Sequence, residues 1–166
     1  QVMGDNANFG TQASPVQTIA QGIANALTLG NGQDVYVAEG TYVEKVTLVD
    51  GVSLLGGHHC DVNTCDWTRD PSVYVSLIQN TDRQGVLADV SVSNITELSG
   101  FTITGIDSNG LGGWATPGTA AVTLAGGTAV VRSHIINAGD ELNCNTWNEC
   151  SSVGVRIVGP TNDPAS

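Results

Sequence analysis

Apolar residues near the beginning of the chain recur every three to four positions, which is typical of one face of an α-helix. Residues 14–30 are therefore predicted to form a helix, with Ser14 as N-cap, Pro15 in the first helical position and Gly30 at the C-terminal turn. The predicted apolar face contains Val16, Ile19, Ala20, Ile23, Ala26 and Leu27. Because such a face needs an apolar surface to cover, we expect this helix to cap the end of a β-structure.

From Asp34 onward the spacing of the apolar residues changes to two, which is the period of β-strands. Residues 35–37, 46–48 and 52–54 are short alternating or apolar runs, separated by Gly40-Thr41 and by Asp50-Gly51. These runs are too short for hairpins of ordinary depth. They predict many short strands joined by tight turns.

Three segments share one pattern of apolar and polar positions, namely residues 51–56, 100–105 and 133–138. Their predicted inward residues are Val52, Leu54, Phe101, Ile103, His134 and Ile136, and a second column contains Val86, Val122 and Val155. The later repeats recur at about 33–35 residues, a length at which one unit cannot bury its own apolar face and must stack on its neighbours. The pattern predicts a single solenoid domain over residues 1–166, with a capping helix at 14–30 and rungs at 34–159. His134 then occupies the inward place matched by Phe101, as a core residue rather than a ligand.

A family resemblance supports the same fold. The segment from Asp34 to Gly57, which reads VYVAEGTYVEKVTLVDGVSLLGG from Val35 onward, and SGFTITG at residues 99–105 resemble the opening of bacterial secreted proteins in the pectin lyase-like superfamily. The resemblance covers roughly residues 15–139. It implies an all-β, right-handed parallel β-helix with an N-terminal capping α-helix, secreted or on the bacterial cell surface. Because that superfamily contains lyases, hydrolases, adhesins and structural surface proteins, the fold does not select a function.

Leucine-rich and ankyrin repeats have periods similar to the one seen here. The sequence has neither the repeated leucine pattern of the former nor the repeated helices of the latter. Both alternatives are therefore set aside.

The chain is strongly acidic, with a formal net charge of -11 and only five Lys or Arg. Such a surface repels nucleic acid and anionic membranes, so neither is expected as a partner. No apolar segment is long enough to span a bilayer and no basic segment precedes Gln1, so we expect any signal peptide to have been removed or left out. We interpret the acidic residues mainly as a solubility feature and expect no cofactor, although calcium is the ion that they would suit.

Four cysteines form two close pairs, Cys60 with Cys65 and Cys144 with Cys150. Local disulfides are the simplest interpretation, and they indicate an oxidising compartment. Zinc binding is the alternative, although neither pair has C-x-x-C spacing and histidines lie beside only one pair.

Polar residues that follow the three similar segments are candidates for a catalytic or metal-binding site. Alignment of the segments places His58, Asp107 and Asp140 after equivalent strands, in a column on adjacent rungs. Adjacent carboxylates raise one another's pKa or share a calcium ion, and an imidazole transfers protons at neutral pH. The alternative is that polar residues simply follow each strand where the chain turns into solvent.

The resemblance implies two enzymatic patterns, and the chain matches each of them in part. Lyases of the superfamily use calcium and a strand-borne Arg or Lys as base, for which Arg132 and Arg156 are candidates outside any recognisable lyase motif. Its hydrolases use clustered Asp residues on neighbouring rungs, and Asp107 with Asp140 supplies a partial match.

Loop residues supply two further candidate sites. Trp67, Trp114 and Trp147 lie in polar, Gly-rich or Cys-bounded loops, where exposed indoles can stack on sugar rings or instead anchor the loops against the solenoid. The loop around Cys60 and Cys65 offers calcium-compatible oxygens at Asp61, Asn63 and Asp66, without the glycine and terminal Glu of an EF-hand.

These features predict a non-enzymatic extracellular or cell-surface β-solenoid with a structural, self-assembling or carbohydrate-binding role. No second helix follows the last predicted strand at residues 155–158, so we expect either a longer parent protein or self-association through the open end. The alternative is a fragment of a polysaccharide lyase or glycoside hydrolase that acts on acidic polysaccharide.

Overall fold

The regular structure consists of one short helix and many short strands. The computed structural model describes residues 4–30, 33–61, 65–79, 84–88, 92, 96–105, 120–124, 129–132, 135–137 and 153–157. Within these residues lie helix α1 (Ile19–Leu29) and twelve strands. The strands are β1 (Val35–Ala38), β2 (Gly40–Val43), β3 (Val46–Thr47), β4 (Leu54–His58), β5 (Ser76–Gln79), β6 (Gln84–Ala88), β7 (Thr96–Ser99), β8 (Phe101–Thr104), β9 (Ala120–Leu124), β10 (Ala129–Arg132), β11 (Ile135–Asn137) and β12 (Val153–Ile157).

The described strands form three parallel sheets, and each sheet contains every third strand along the chain. The strand orders are β1-β4-β7-β10, β2-β5-β8-β11 and β3-β6-β9-β12. A parallel pair cannot be closed by a tight hairpin and needs a longer crossover. Here the crossover between two partners contains one strand from each of the other two sheets, so strands that are consecutive in sequence lie in different sheets.

The register of the strands confirms the predicted column of Val86, Val122 and Val155 and, from the other predicted column, the pairing of Ile103 with Ile136. In the second sheet, Ile103 pairs with Ile78 on one side and with Ile136 on the other. In the third sheet, the column contains Val46, Val86, Val122 and Val155. Buried side chains of all three sheets join one apolar core, which is why residues far apart in sequence become neighbours.

The predicted equivalence of residues 51–56 with residues 100–105 is wrong. Leu54 belongs to the first sheet, where it pairs with Val35 and Leu98. Phe101 belongs to the second sheet, where it pairs with Ser76. The two segments look alike because both follow a glycine and alternate in the same way, but sheet membership depends on how many strands precede each segment.

The prediction that Gly40-Thr41 separates two strands is also wrong. Strand β2 begins at Gly40, and Gly40 and Thr41 pair with Ser76 and Leu77 of β5. The Gly40 amide also donates to the Val75 carbonyl at 2.9 Å. The hydrogen bonds between paired strands use only backbone groups, so a residue pair typical of turns can also form the beginning of a strand.

Helix α1 begins later than predicted, at Ile19 rather than after Ser14. Thr18 is the N-cap, because its backbone is extended and its hydroxyl accepts from the Gln21 amide at 3.2 Å. Ser14 instead forms an isolated bridge with Thr11. The predicted C-terminal glycine is confirmed, since Gly30 has a φ of 106° and donates to the Leu27 carbonyl.

A distant carboxylate completes the N-terminal cap of α1. The two oxygens of Glu44 accept from the Ile19 amide at 2.9 Å and from the Ala20 amide at 3.0 Å. Asn6 Oδ1 also accepts from the backbone amides of Gln17 and Thr18. The first turn of a helix has unsatisfied N–H groups, so these acceptors fix where the helix starts.

The helix packs against β1 and β3, the first strands of two sheets, and so has the capping position that the sequence predicts. Its buried residues are Ile19, Gly22, Ile23 and Ala26. Ala20 and Leu27, predicted on the apolar face, are exposed, so the buried stripe of the helix is narrower than predicted. Within the described residues, no helix has the length and apolarity needed to cross a membrane.

Candidate functional site

A cavity of about 250 Å³ lies between α1, strand β1 and the segment that precedes the helix. From the helix it is lined by Ile19, Gly22, Ala26 and Leu29, and from β1 by all four strand residues. The preceding segment contributes residues 9–12, 15 and 16. The cavity exists because a helix laid across a strand touches it only along a narrow line. At that line, Gly22 has no room for a side chain, since a Cβ there would lie 2.9 Å from a methyl group of Val35.

Four aromatic side chains line this cavity together with aliphatic ones. Phe9 and Tyr36 also lie at the surface, with 85% and 55% of their area exposed. Tyr42 and Trp67, both half-buried, complete the aromatic lining. The cavity is therefore open to solvent at a rim that carries flat apolar rings.

Tyr42 is held by the strand on which the cavity is built. Its hydroxyl donates to the Ala38 carbonyl at 3.0 Å. Burial, with the nearby Glu44 charge as a smaller cause, raises the pKa of Tyr42. The phenol therefore stays protonated and keeps its hydrogen bond over the physiological pH range.

Trp67 is positioned by a segment that folds back on itself after β4. The Cys60–Cys65 disulfide closes this segment, which confirms the predicted pairing of these two cysteines. Beyond the disulfide, the Trp67 amide donates to the His59 carbonyl at 3.0 Å, and the His59 amide donates to the Thr68 carbonyl at 2.8 Å. Trp67 has a φ of 58°, a conformation that is uncommon for residues with a side chain. The disulfide and the two backbone bonds hold it there.

Arg69 ties the same segment to two neighbouring strands. Its Nε donates to the Gly56 carbonyl at 3.0 Å, and a terminal nitrogen donates to the Ser99 hydroxyl at 2.7 Å. Arg69 also forms an isolated bridge with His58. The guanidinium is thus engaged in structural bonds and is not among the groups that line the cavity.

His58 lies under the rim and is only 4% exposed. Its ring packs edge-on against Tyr36, with the centroids 5.2 Å apart, and lies 6.1 Å from Trp67. Burial, assisted by the charge of Arg69, lowers the pKa of His58. A neutral, buried imidazole here supports the two rim aromatics from beneath.

His59, which directly follows β4, makes a close pair with Glu39. Its Nδ1 lies 2.6 Å from a Glu39 carboxylate oxygen, and its ring stacks on Tyr74 with a centroid distance of 4.6 Å. The hydrogen bond to Glu39 raises the pKa of His59, and the charges of Glu39, Asp66 and Asp61 act in the same direction. This pair holds the start of the Trp67 segment against the end of β1.

The structure describes only some of the predicted site residues. His58, Trp67, Asp61 and Asp66 are described, and Trp67 lies at the cavity. The strand backbones that carry Arg132 and Arg156 are described, but their side chains are not. Outside the described residues lie Asn63, Asp107, Trp114, His134, Asp140, Cys144, Trp147 and Cys150.

The predicted column of His58, Asp107 and Asp140 therefore stays a prediction, although the alignment behind it joined strands of different sheets. His58 ends β4 in the first sheet, whereas the strand before Asp107 is β8 in the second. Among the described residues, no group of three His, Cys, Asp or Glu side chains is placed to hold a metal ion.

Sequence reasoning missed the cavity itself, together with Phe9, Tyr36 and the Glu39–His59 pair. The outward place of Tyr36 between two valines was a usable signal, because an aromatic ring on the solvent side of a strand beside a helix is unusual. Phe9, alone in a polar segment, was a second signal.

Polar side chains lie among the aromatic rings of the cavity lining. Thr11, Gln12, Asn25 and Gln33 line it and carry hydroxyl or amide groups that both donate and accept. Small-molecule sites are concave, largely apolar and provided with a few polar groups that fix orientation. The lining therefore combines flat apolar surfaces with groups that donate and accept hydrogen bonds.

Comparison with known proteins gives one family match. The family described as "Protein of unknown function (DUF1565)" matches residues 2–163. Among curated proteins and among solved structures, no match was found.

Proposed function

Since the chain belongs to the DUF1565 family, whose function is unknown, we propose a function from the cavity: the protein is a non-enzymatic, carbohydrate-binding β-solenoid of the cell exterior. The single observation that carries this proposal is the open cavity beside α1, with Phe9, Tyr36 and Trp67 at its lining. Aromatic faces stack on the apolar faces of sugar rings, and the neighbouring amides and hydroxyls suit sugar hydroxyl groups.

The proposed scaffold is a right-handed parallel β-helix of the pectin lyase-like superfamily. Its support is the pairing of each strand with the third strand after it, which is the connectivity of a coil with three walls. Parallel strands joined by a crossover are almost always connected with a right-handed turn, which favours that hand.

The proposed location is outside the cytoplasm. The Cys60–Cys65 disulfide supports it, because disulfides persist mainly in oxidising compartments. The resemblance of residues 34–57 and 99–105 to bacterial secreted proteins favours a bacterial secreted or surface protein.

Binding of soluble oligosaccharides, followed by isothermal titration calorimetry, tests the carbohydrate proposal. Tyr36→Ala should weaken binding about fivefold, since the loss of one stacking contact costs about 1 kcal/mol. Tyr36→Phe keeps the ring and should bind like the parent. Val43→Ala, which removes exposed apolar area away from the cavity, is the matched control.

Failure of a broad oligosaccharide panel to bind at millimolar concentration would refute carbohydrate binding. Equal losses for Tyr36→Ala and Val43→Ala would place the binding elsewhere. Light scattering of the same samples measures self-association, the other role that the fold suggests.

A second candidate function is a polysaccharide lyase or hydrolase that acts on acidic polysaccharide, and the Glu39–His59 pair favours it. An imidazole oriented by a carboxylate at 2.6 Å is a plausible proton-transfer group. Incubation with polygalacturonate, with and without calcium, should release unsaturated products or reducing ends if this candidate is correct. That activity should then be lost in His59→Gln or in Asp107→Ala.

A further inference from the structure

The charges around the cavity restrict which sugars it can accept. Among the described lining residues, Asp34 is the one with a formal charge, and neither Lys nor Arg is present. Asp34 is exposed and directly precedes β1, two residues before Tyr36. The lining therefore offers one carboxylate beside an exposed aromatic ring.

The rest of the molecule reinforces this local charge. The chain has 16 acidic and five basic residues, so the mean potential at its surface is negative. Arg69, the basic residue nearest in sequence to Trp67, is engaged with Gly56 and Ser99. A sugar carboxylate in the cavity would lose water without gaining a cationic partner from the described lining, and this loss is unfavourable.

We propose that the cavity binds a glycan without carboxylate groups and prefers a free amino sugar, whose ammonium group pairs with Asp34. This inference rests on the proposed carbohydrate-binding function and names the class of sugar. Aromatic stacking supplies the part of the affinity common to all sugars, and Asp34 supplies the discrimination. Uronates are rejected because the lining carries a like charge.

Three oligosaccharides of equal length separate these contributions: glucosamine, N-acetylglucosamine and galacturonate oligomers. Calorimetry at pH 6, where the free amine is protonated, should show the glucosamine oligomer binding about threefold tighter than its N-acetylated form, as expected for one exposed ion pair. The galacturonate oligomer should bind most weakly of the three. Raising the salt concentration should reduce the difference between the two glucosamine forms.

Asp34→Asn should remove the preference for the amine, so that the glucosamine and N-acetylglucosamine oligomers bind with equal affinity. Glu97→Gln is the matched control, because it changes the net charge by the same amount on β7, away from the cavity. It should keep the preference.

Two outcomes would overturn the inference while carbohydrate binding stands. One is a galacturonate oligomer that binds as tightly as the N-acetylated one. The other is a loss of the amine preference in Glu97→Gln as large as in Asp34→Asn, which would show attraction by net charge alone. Absence of binding by all three oligomers would overturn the inference, and the proposed function would fall with it only if the broad oligosaccharide panel also failed to bind.

Discussion

Gly56 of β4 and Gly100, which lies between β7 and β8, approach each other closely, and this contact provides a test of how the strands stack. A Cβ added to Gly56 would lie 2.6 Å from the Gly100 carbonyl oxygen, and a Cβ added to Gly100 would lie 2.6 Å from the Gly56 carbonyl oxygen. Real Cβ atoms essentially never approach other atoms below 3.0 Å. Each substitution by alanine therefore forces the same two backbone segments apart.

The two positions differ in backbone conformation and in their other neighbours, because a Cβ on Gly100 would also lie 2.9 Å from Arg69 and 3.0 Å from Pro71. Gly56→Ala adds the contact alone, and overpacking of this kind costs about 1–3 kcal/mol. Gly100 also has a φ of 77°, and a side chain in the left-handed region costs about a further 1–2 kcal/mol. Gly100→Ala should thus lower stability by about 2–5 kcal/mol, which is more than Gly56→Ala.

The double variant Gly56→Ala/Gly100→Ala tests whether both substitutions disturb the same contact. Once one alanine has separated the two backbones, the second meets a wider gap, so the two losses should fall short of additivity by more than about 0.5 kcal/mol. Gly30→Ala is the control for backbone conformation, because a Cβ there meets no atom within 4 Å and φ is 106°. It should cost about 1–2 kcal/mol by itself.

Urea unfolding followed by circular dichroism measures all four variants against the parent. Strictly additive losses, or a neutral Gly56→Ala, would refute the contact between these two segments. If Gly56→Ala instead cost as much as Gly100→Ala, the backbone conformation of Gly100 would be shown to have no measurable effect.

Three further predictions concern the cap, the histidine pair and the disulfide. Glu44→Gln should lower the free energy of unfolding by about 1 kcal/mol, because it removes a carboxylate from the helix N-terminus, and urea unfolding at low and high salt measures the loss. His59→Gln should destabilise the protein more at pH 6 than at pH 8. Because the pKa of His59 is raised, its pairing with Glu39 stabilises the fold fully below the ordinary histidine pKa, and this stabilisation is lost as pH rises through the raised pKa. A difference in stability between parent and variant that does not depend on pH would contradict the pairing. In the double variant in which Cys60 and Cys65 become alanine, the free energy of unfolding should fall by about 2 kcal/mol, the value expected for a short closed loop. Thermal unfolding measures this loss, and no loss would mean that the pair does not bridge in solution.

The columns of apolar residues were predictable because they depend only on a period that the chain repeats. The register of Val86, Val122 and Val155 follows from equal alternation in three strands, and each of these residues keeps its place as long as the repeat length is nearly constant. The same logic failed for residues 51–56. An alternating pattern records which face a side chain takes, but it does not record which of three sheets the strand joins.

The start of the helix was not predictable from local signals, because its acceptors come from elsewhere in the chain. Ser14 and Pro15 have the residue types of a helix start, yet Thr18 is the N-cap. Asn6 and Glu44 select it, since both of their side chains reach the amides of residues 17–20. When the capping acceptors come from distant residues, the sequence around the helix boundary does not indicate where the helix starts.

In the candidate site, too, one residue was predictable from the sequence and its neighbours were not. Trp67 was identified as a sugar-stacking candidate because an indole in a Cys-bounded loop is visible in the sequence. Phe9 and Tyr36 became its neighbours only after the segment before α1 and the segment after β4 met at one end of β1. Their association depends on three-dimensional placement, for which a single sequence offers no periodic signal.

Ligand binding in the cavity is coupled to the docking of helix α1 on β1. It is separable from the stacking of the strands. A ligand in the cavity touches α1 on one side and β1 on the other, so it binds the state in which the helix is docked. Loss of the Glu44 cap therefore weakens binding indirectly, by depleting that state. Gly56 and Gly100 lie away from the lining, so their substitution lowers the overall stability but leaves the affinity of the folded protein unchanged. If variants at the Glu44 cap and at the two glycines all lost affinity in proportion to their loss of stability, the cavity would not be a preformed site.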